Sequence, residues 1–115
     1  MTRRSYGRND MILMEHEFGD TFFVISSGSV KITHLSEDGR EVIFAILGKG
    51  EFFGEMALFE EEPRSANAVA LEETDVFILR RGEFLAFIEE YPQIVISLIT
   101  EMARRIRRSD LQIEG

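Results

Sequence analysis

Between Met11 and Leu79 the chain is cut into short runs of β-branched and aromatic residues, with glycine, asparagine, aspartate or serine breaking the pattern every few positions. A sequence interrupted this often leaves no room for long helices, and the spacing predicts an all-β sandwich or barrel. The best strands are Met11 to Met14, Thr21 to Ser26, Ser29 to Leu35, Glu41 to Leu47, Asn67 to Leu71 and Asp75 to Leu79. Ser27-Gly28 joins two of these runs. Asp38-Gly39 is a hairpin signal because glycine accepts a positive φ, and Gly48-Lys49-Gly50 stops the strand that precedes it. Phe22, Val24, Val30, Ile32, Val42, Phe44, Ile46, Val76 and Ile78 read as the inward face.

After Arg80 the apolar period changes from two to about 3.6. Glu83 to Glu90 reads as a short helix ended by Tyr91-Pro92, and Pro92 suits the first turn of a second helix, where its missing N–H costs nothing. Val95, Leu98, Ile99, Met102, Ile106 and Ile113 recur on one face of that helix and form an apolar seam.

The 115 residues fit one domain, and the 44% hydrophobic fraction with ten phenylalanines supports a packed core. A net charge of -8 argues against this segment gripping DNA, since non-specific affinity comes from a basic surface. The absence of cysteine excludes disulfides, thiolate catalysis and cysteine-based metal sites. No apolar run approaches a membrane span, and Met1 to Asp10 is polar and basic without a secretory apolar stretch, so a cytoplasmic location is expected.

The segment from Phe52 to Ala66, FFGEMALFEEEPRSA, carries the chemistry. Gly54 permits close approach of the backbone or a positive φ, and Glu55-Met56-Ala57-Leu58 reads as one helical turn whose first N–H groups face outward. Such amides, with the positive end of the turn, suit an anion, above all a phosphate. Pro63 stiffens the chain before Arg64, whose planar guanidinium matches two phosphate oxygens, and Ser65 adds a hydroxyl donor. Glu55, repelled by a phosphate, should face a donor such as a sugar hydroxyl. A plainer reading makes the apolar residues core around a tight turn and pairs Arg64 with Glu60, Glu61 or Glu62 on the surface.

This ordered set resembles the phosphate-binding cassette of cyclic-nucleotide-binding domains, and nearly the whole chain, down to the MARRI segment, resembles the sensor domain of the catabolite-activator (Crp/Fnr) family of bacterial transcription regulators. The resemblance implies a mainly β fold, an eight-stranded jelly-roll-like β-roll with a short flanking helix and a C-terminal dimerisation-type helix. It implies that Gly54, Met56 and Ala57 line the cyclic phosphate, that Glu55 takes the ribose 2'-hydroxyl and that Arg64 and Ser65 take phosphate oxygens. Phe44 and Ala45 would wall the purine, although a core reading suits Phe44 nearly as well. Arg105 would lean toward the nucleotide or Glu55, and Ser109 and Asp110 would face the base from the dimer helix. Asp110 departs from the hydroxyl of the cyclic-AMP-responsive members, because a carboxylate accepts but does not donate, and a solvated helix end explains it equally well.

The implied ligand is cyclic AMP or cyclic GMP, with no further cofactor and no metal. The implied organisation is a β-roll with its short helix over residues 1–91 and the start of a long dimer helix over 92–115. The DNA-binding domain is expected beyond Gly115 and a lead-in before Met1. The expected protein is a homodimer that meets DNA only through that other domain and has no membrane contact. Two alternatives share the fold: a nucleotide-nonresponsive interaction module, and a regulatory domain of a kinase or channel. The cluster Arg104, Arg105, Arg107 and Arg108 is better explained by the Glu101–Arg105 helical spacing and by the helix dipole than by DNA contact. His16 and His34 read as two isolated histidines, the acidic pairs Glu72-Glu73 and Glu89-Glu90 as surface, and nothing indicates an enzyme.

Overall fold

The computed structural model describes residues 2–55 and 63–114, apart from the side chains of residues 94 and 108–114. Its strands are β1 (Thr2–Tyr6), β2 (Met11–Leu13), β3 (Thr21–Ser27), β4 (Val30–Leu35), β5 (Glu41–Leu47), β6 (Phe52–Phe53), β7 (Asn67–Ala70) and β8 (Thr74–Arg80). They form two four-stranded sheets, ordered β1-β8-β3-β6 and β2-β7-β4-β5, with antiparallel neighbours throughout. This order, in which the first strand lies beside the last and the second beside the last but one, is that of a jelly roll. Residues 1–81 make one compact unit and 82–115 another.

Alternation along the strands builds the core. Phe23, Ile25, Val30, Leu47, Phe53, Ala68 and Val76 are buried together, with Tyr6, Ile12, Leu13, Ile32, Ala45 and Ile78 packed against them. Opposed across β3 and β6, the Phe23 and Phe53 rings lie 5.0 Å apart and nearly parallel, while Phe22 and Phe52 form a tilted pair at 5.5 Å. Aromatic pairs of this kind add about 0.5–1.5 kcal/mol beyond the area they bury.

The expected inward face needs correcting on two strands. In β3 the core face is Phe23 and Ile25 rather than Phe22 and Val24, although Phe22 is buried too. In β5 the inward residues are Ala45 and Leu47, whereas Val42, Phe44 and Ile46 are exposed. A one-residue change of register moves a whole set of side chains to the other face, and a run apolar on both faces does not reveal its phase. β5 also bulges: Ile32 opposes Ala45 and Thr33 opposes Ile43, which leaves Phe44 as the extra residue.

Asp38-Gly39 turns the β4–β5 hairpin, with Gly39 at φ 82°. Ser27-Gly28 instead carries the chain from one sheet to the other. Gly28 has φ 94°, and a Cβ there would lie 2.4 Å from Thr74 Oγ1 and 2.5 Å from the Glu73 carbonyl, so no side chain fits. Beyond the roll, α1 spans Arg81–Glu90 and α2 spans Gln93–Glu114, with Pro92 immediately ahead of α2. On α2, Ile96, Ile99 and Ile106 are exposed, while Val95, Leu98 and Met102 are half-buried. No helix among the described residues is long and apolar enough to cross a membrane.

Candidate functional site

The carboxyl end of the Phe52 to Ala66 segment is held by the loop ahead of β3. The Arg64 amide donates to the Glu17 carbonyl at 2.7 Å, and the His16 amide donates to the Arg64 carbonyl at 2.8 Å, so two loops are stitched together at this one residue. Arg64 is 9% exposed. Its Nη1 donates to the Gly54 carbonyl at 3.2 Å, and its Nη2 donates to Thr21 through both the carbonyl oxygen, at 2.9 Å, and Oγ1, at 3.0 Å. Burial pushes the guanidinium below the ordinary arginine range, while the charges of Asp20 and Glu55 push it back up. Arginine stays protonated in such a setting, so this corner of an acidic chain carries a buried positive charge.

Two glycines let the backbone approach that charge. Gly54 has φ 79°, and a Cβ on it would lie 3.3 Å from Arg64 Nη1 and 3.2 Å from the Thr21 carbonyl. A Cβ on Gly19 would lie 2.7 Å from Nη2 and 3.1 Å from Nε. Five N–H donors face three acceptors among the described residues, so at least two have no hydrogen-bond acceptor among those residues. A cavity of about 510 Å³ is lined by Arg64 together with Gly19, Thr21, Tyr6, Leu13 and Ile78, among others.

Gly54, Glu55 and Arg64 are thus brought together, as expected from their spacing. Glu55 is half-buried and in 3-10 geometry, and Ser65 follows on the exposed side. Met56, Ala57 and Glu60 to Glu62 lie outside the described residues, and so do the side chains of Ser109 and Asp110. Phe44 and Ala45 part company. Ala45 packs on the core, whereas Phe44 is 56% exposed and lies 6.0 Å from the His34 ring in a near-parallel stack, which also rules out a core role for Phe44. On α2, Arg105 Nε donates to Glu101 Oε1 at 3.4 Å and Arg104 Nη1 to Glu101 Oε2 at 2.8 Å, the helical pairing that the spacing predicts.

The histidines are not isolated from one another. His34 Nδ1 bonds the Glu15 carboxylate, and His16 Nε2 lies 3.9 Å from the same oxygen. No group of three metal-binding side chains occurs among the described residues. The sequence reading also missed Gly19, Asp20 and Thr21 as partners of Arg64. The start of a strand at Thr21 was visible, but a contact across 43 residues leaves no local signal.

A family model described as the cyclic nucleotide-binding domain matches residues 3–91. The chain belongs to that family. This cyclic nucleotide-binding domain is 38% identical over 112 residues to the cyclic AMP receptor protein of Thermus thermophilus, covering 97% of this chain and 52% of that protein. It is 44% identical over 75 residues to human cGMP-dependent protein kinase 2, covering 64% of this chain and 10% of the kinase. The crystal structure of the Thermus thermophilus catabolite activator protein superposes with a TM-score of 0.87 at 37% identity, covering 98% of this domain and 53% of that chain. The domain therefore spans about half the length of the curated Crp-type regulators it matches.

Proposed function

We propose that this domain binds a cyclic mononucleotide and serves as the sensor of a Crp-type transcription regulator. The observation that carries the reading is the buried Arg64 guanidinium, seated on neutral oxygens of Thr21 and Gly54, with more N–H donors than it has acceptors among the described residues. A cyclic phosphate carries one negative charge and acceptor oxygens, and so supplies what those donors lack. Glu55, next to Gly54, is the ribose-hydroxyl acceptor, while Ser65, Met56 and Ala57 complete the phosphate contacts. Cyclic AMP is the first choice, because the relatives matched along most of the chain are named as cyclic AMP receptors or cAMP-activated regulators. The similarity to a cGMP-dependent kinase keeps cyclic GMP as the second.

In this reading α2 is the dimer helix of a homodimer, and Arg105, Ser109 and Asp110 report the bound nucleotide to it. A ligand shifts such an equilibrium only by binding one arrangement more tightly than the other. The exposed isoleucines Ile96, Ile99 and Ile106 are the apolar surface available for pairing with a second copy. DNA contact belongs to a separate helix-turn-helix domain of the regulator. Parallel calorimetric titrations of this chain with cyclic AMP and cyclic GMP test the proposal. Saturable heat for one of them supports it, and no heat with either, together with an unchanged melting temperature, refutes it.

A further inference from the structure

The Arg64 guanidinium has a seat. Thr21 places two acceptors on Nη2, Gly54 places one on Nη1, and Gly19 closes in on the Nη2–Nε edge so tightly that a methyl group would collide with it. Nη2 carries two hydrogens and Thr21 offers it two acceptors, so the N–H groups left to meet a phosphate are the second one on Nη1 and the single one on Nε. The plane of the guanidinium decides which way those hydrogens point. One carbonyl on each terminal nitrogen leaves the group able to rock about the line joining the two contacts, and a third acceptor off that line fixes the plane.

We infer that Thr21, through its hydroxyl, is a positioning residue that aims Arg64 at the cyclic phosphate. This inference rests on the ligand reading above. Thr21 does not touch the ligand in this scheme; it acts through Arg64. A hydrogen bond from a charged donor makes a larger net contribution than a neutral one, so losing its aim carries a measurable cost in affinity.

The test is a calorimetric cycle with cyclic AMP, or cyclic GMP if that proves the tighter ligand, on the whole chain. Thr21→Val keeps the shape and the strand propensity and removes the acceptor; affinity should fall roughly tenfold. Thr21→Ser keeps the hydroxyl and should retain the wild-type value. In an Arg64→Lys background the same valine substitution should cost nothing more, because an ammonium has no plane to set. If the valine protein melts too early to titrate, Thr21→Ala takes its place.

Equal affinity for Thr21→Val and wild type overturns the inference. So does a serine variant as weak as valine, or a valine loss that is undiminished in the Arg64→Lys background, since both are signs of a merely structural role. A wild-type chain that binds neither nucleotide fails at the first titration, before any variant is made; that result strikes the ligand reading itself and the inference with it.

Discussion

At the end of the β-roll Arg64 is buried among neutral oxygens of Thr21 and Gly54, whereas on α2 Arg104 and Arg105 share the carboxylate of Glu101. The contrast separates two uses of one side chain. Carbonyl and hydroxyl dipoles orient the Arg64 guanidinium without a direct ion pair, and although the charges of Asp20 and Glu55 act on it, its hydrogen bonds go to neutral oxygens. A carboxylate orients and neutralises at once; the Arg104 side chain is exposed, whereas Arg105 and Glu101 are half-buried, and surface ion pairs contribute about 0–1 kcal/mol. Basic residues in a sequence count equally toward net charge, but their surroundings decide which of them can hold a ligand.

The comparison breaks most visibly at Arg64 itself. Arg64→Ala should weaken cyclic nucleotide binding by about 2–5 kcal/mol, as expected for truncating one partner of a buried charge pair. Unchanged calorimetric affinity would place the phosphate elsewhere. Next in size is Gly54→Ala, which forces a left-handed backbone on a residue with a Cβ at a cost of about 1–2 kcal/mol and pushes on Arg64 and Thr21. Chemical denaturation should report that loss, and an affinity decrease should accompany it. Glu101→Ala, at the other pole, should change stability by about 1 kcal/mol or less. A larger drop would mean that the pairing on α2 does more than decorate its surface.

The smallest expected effect concerns neither arginine site. Hydrogen bonds from Ser5 Oγ, at 2.6 Å, and Arg3 Nη2, at 3.1 Å, hold the Asp75 carboxyl below its usual range and tie β1 to β8. A carboxyl depressed in the folded state contributes stability above its unfolded pKa, and that contribution disappears as pH falls through the lower folded value. Protection factors of the β1 amides, taken against the intrinsic exchange rate at each pH, should therefore fall on strong acidification before those of β3 respond. Simultaneous loss of protection in both strands would deny the local tie.

How much was legible in the sequence follows from the range of each interaction. The Asp38-Gly39 hairpin and β5 were readable to the residue, because turn chemistry and strand period are local. Gly54, Glu55 and Arg64 were readable as a set because they fall within one short segment. β1 was not, since Thr-Arg-Arg-Ser-Tyr is polar and is made a strand by pairing with β8. β6 has only two residues and was read as the lead-in to the cassette. The phase of β5 was lost because Val42, Ile43, Phe44 and Ile46 are apolar on both faces and a bulge at Phe44 resets the alternation. Thr21 and Gly19 acquire their roles only once the roll brings them against Arg64.

The pairing of Thr2 with Ile78 has a kinetic meaning. The first strand waits for the last, so a ribosome must release nearly the entire roll before its outer seam can zip. Contacts between residues so remote in sequence delay assembly until a large loop has closed, and domains dominated by them fold on the order of milliseconds to seconds. A nascent chain of this kind spends its early life with an unsealed edge, which makes late synthesis the period when it most needs protection from its neighbours.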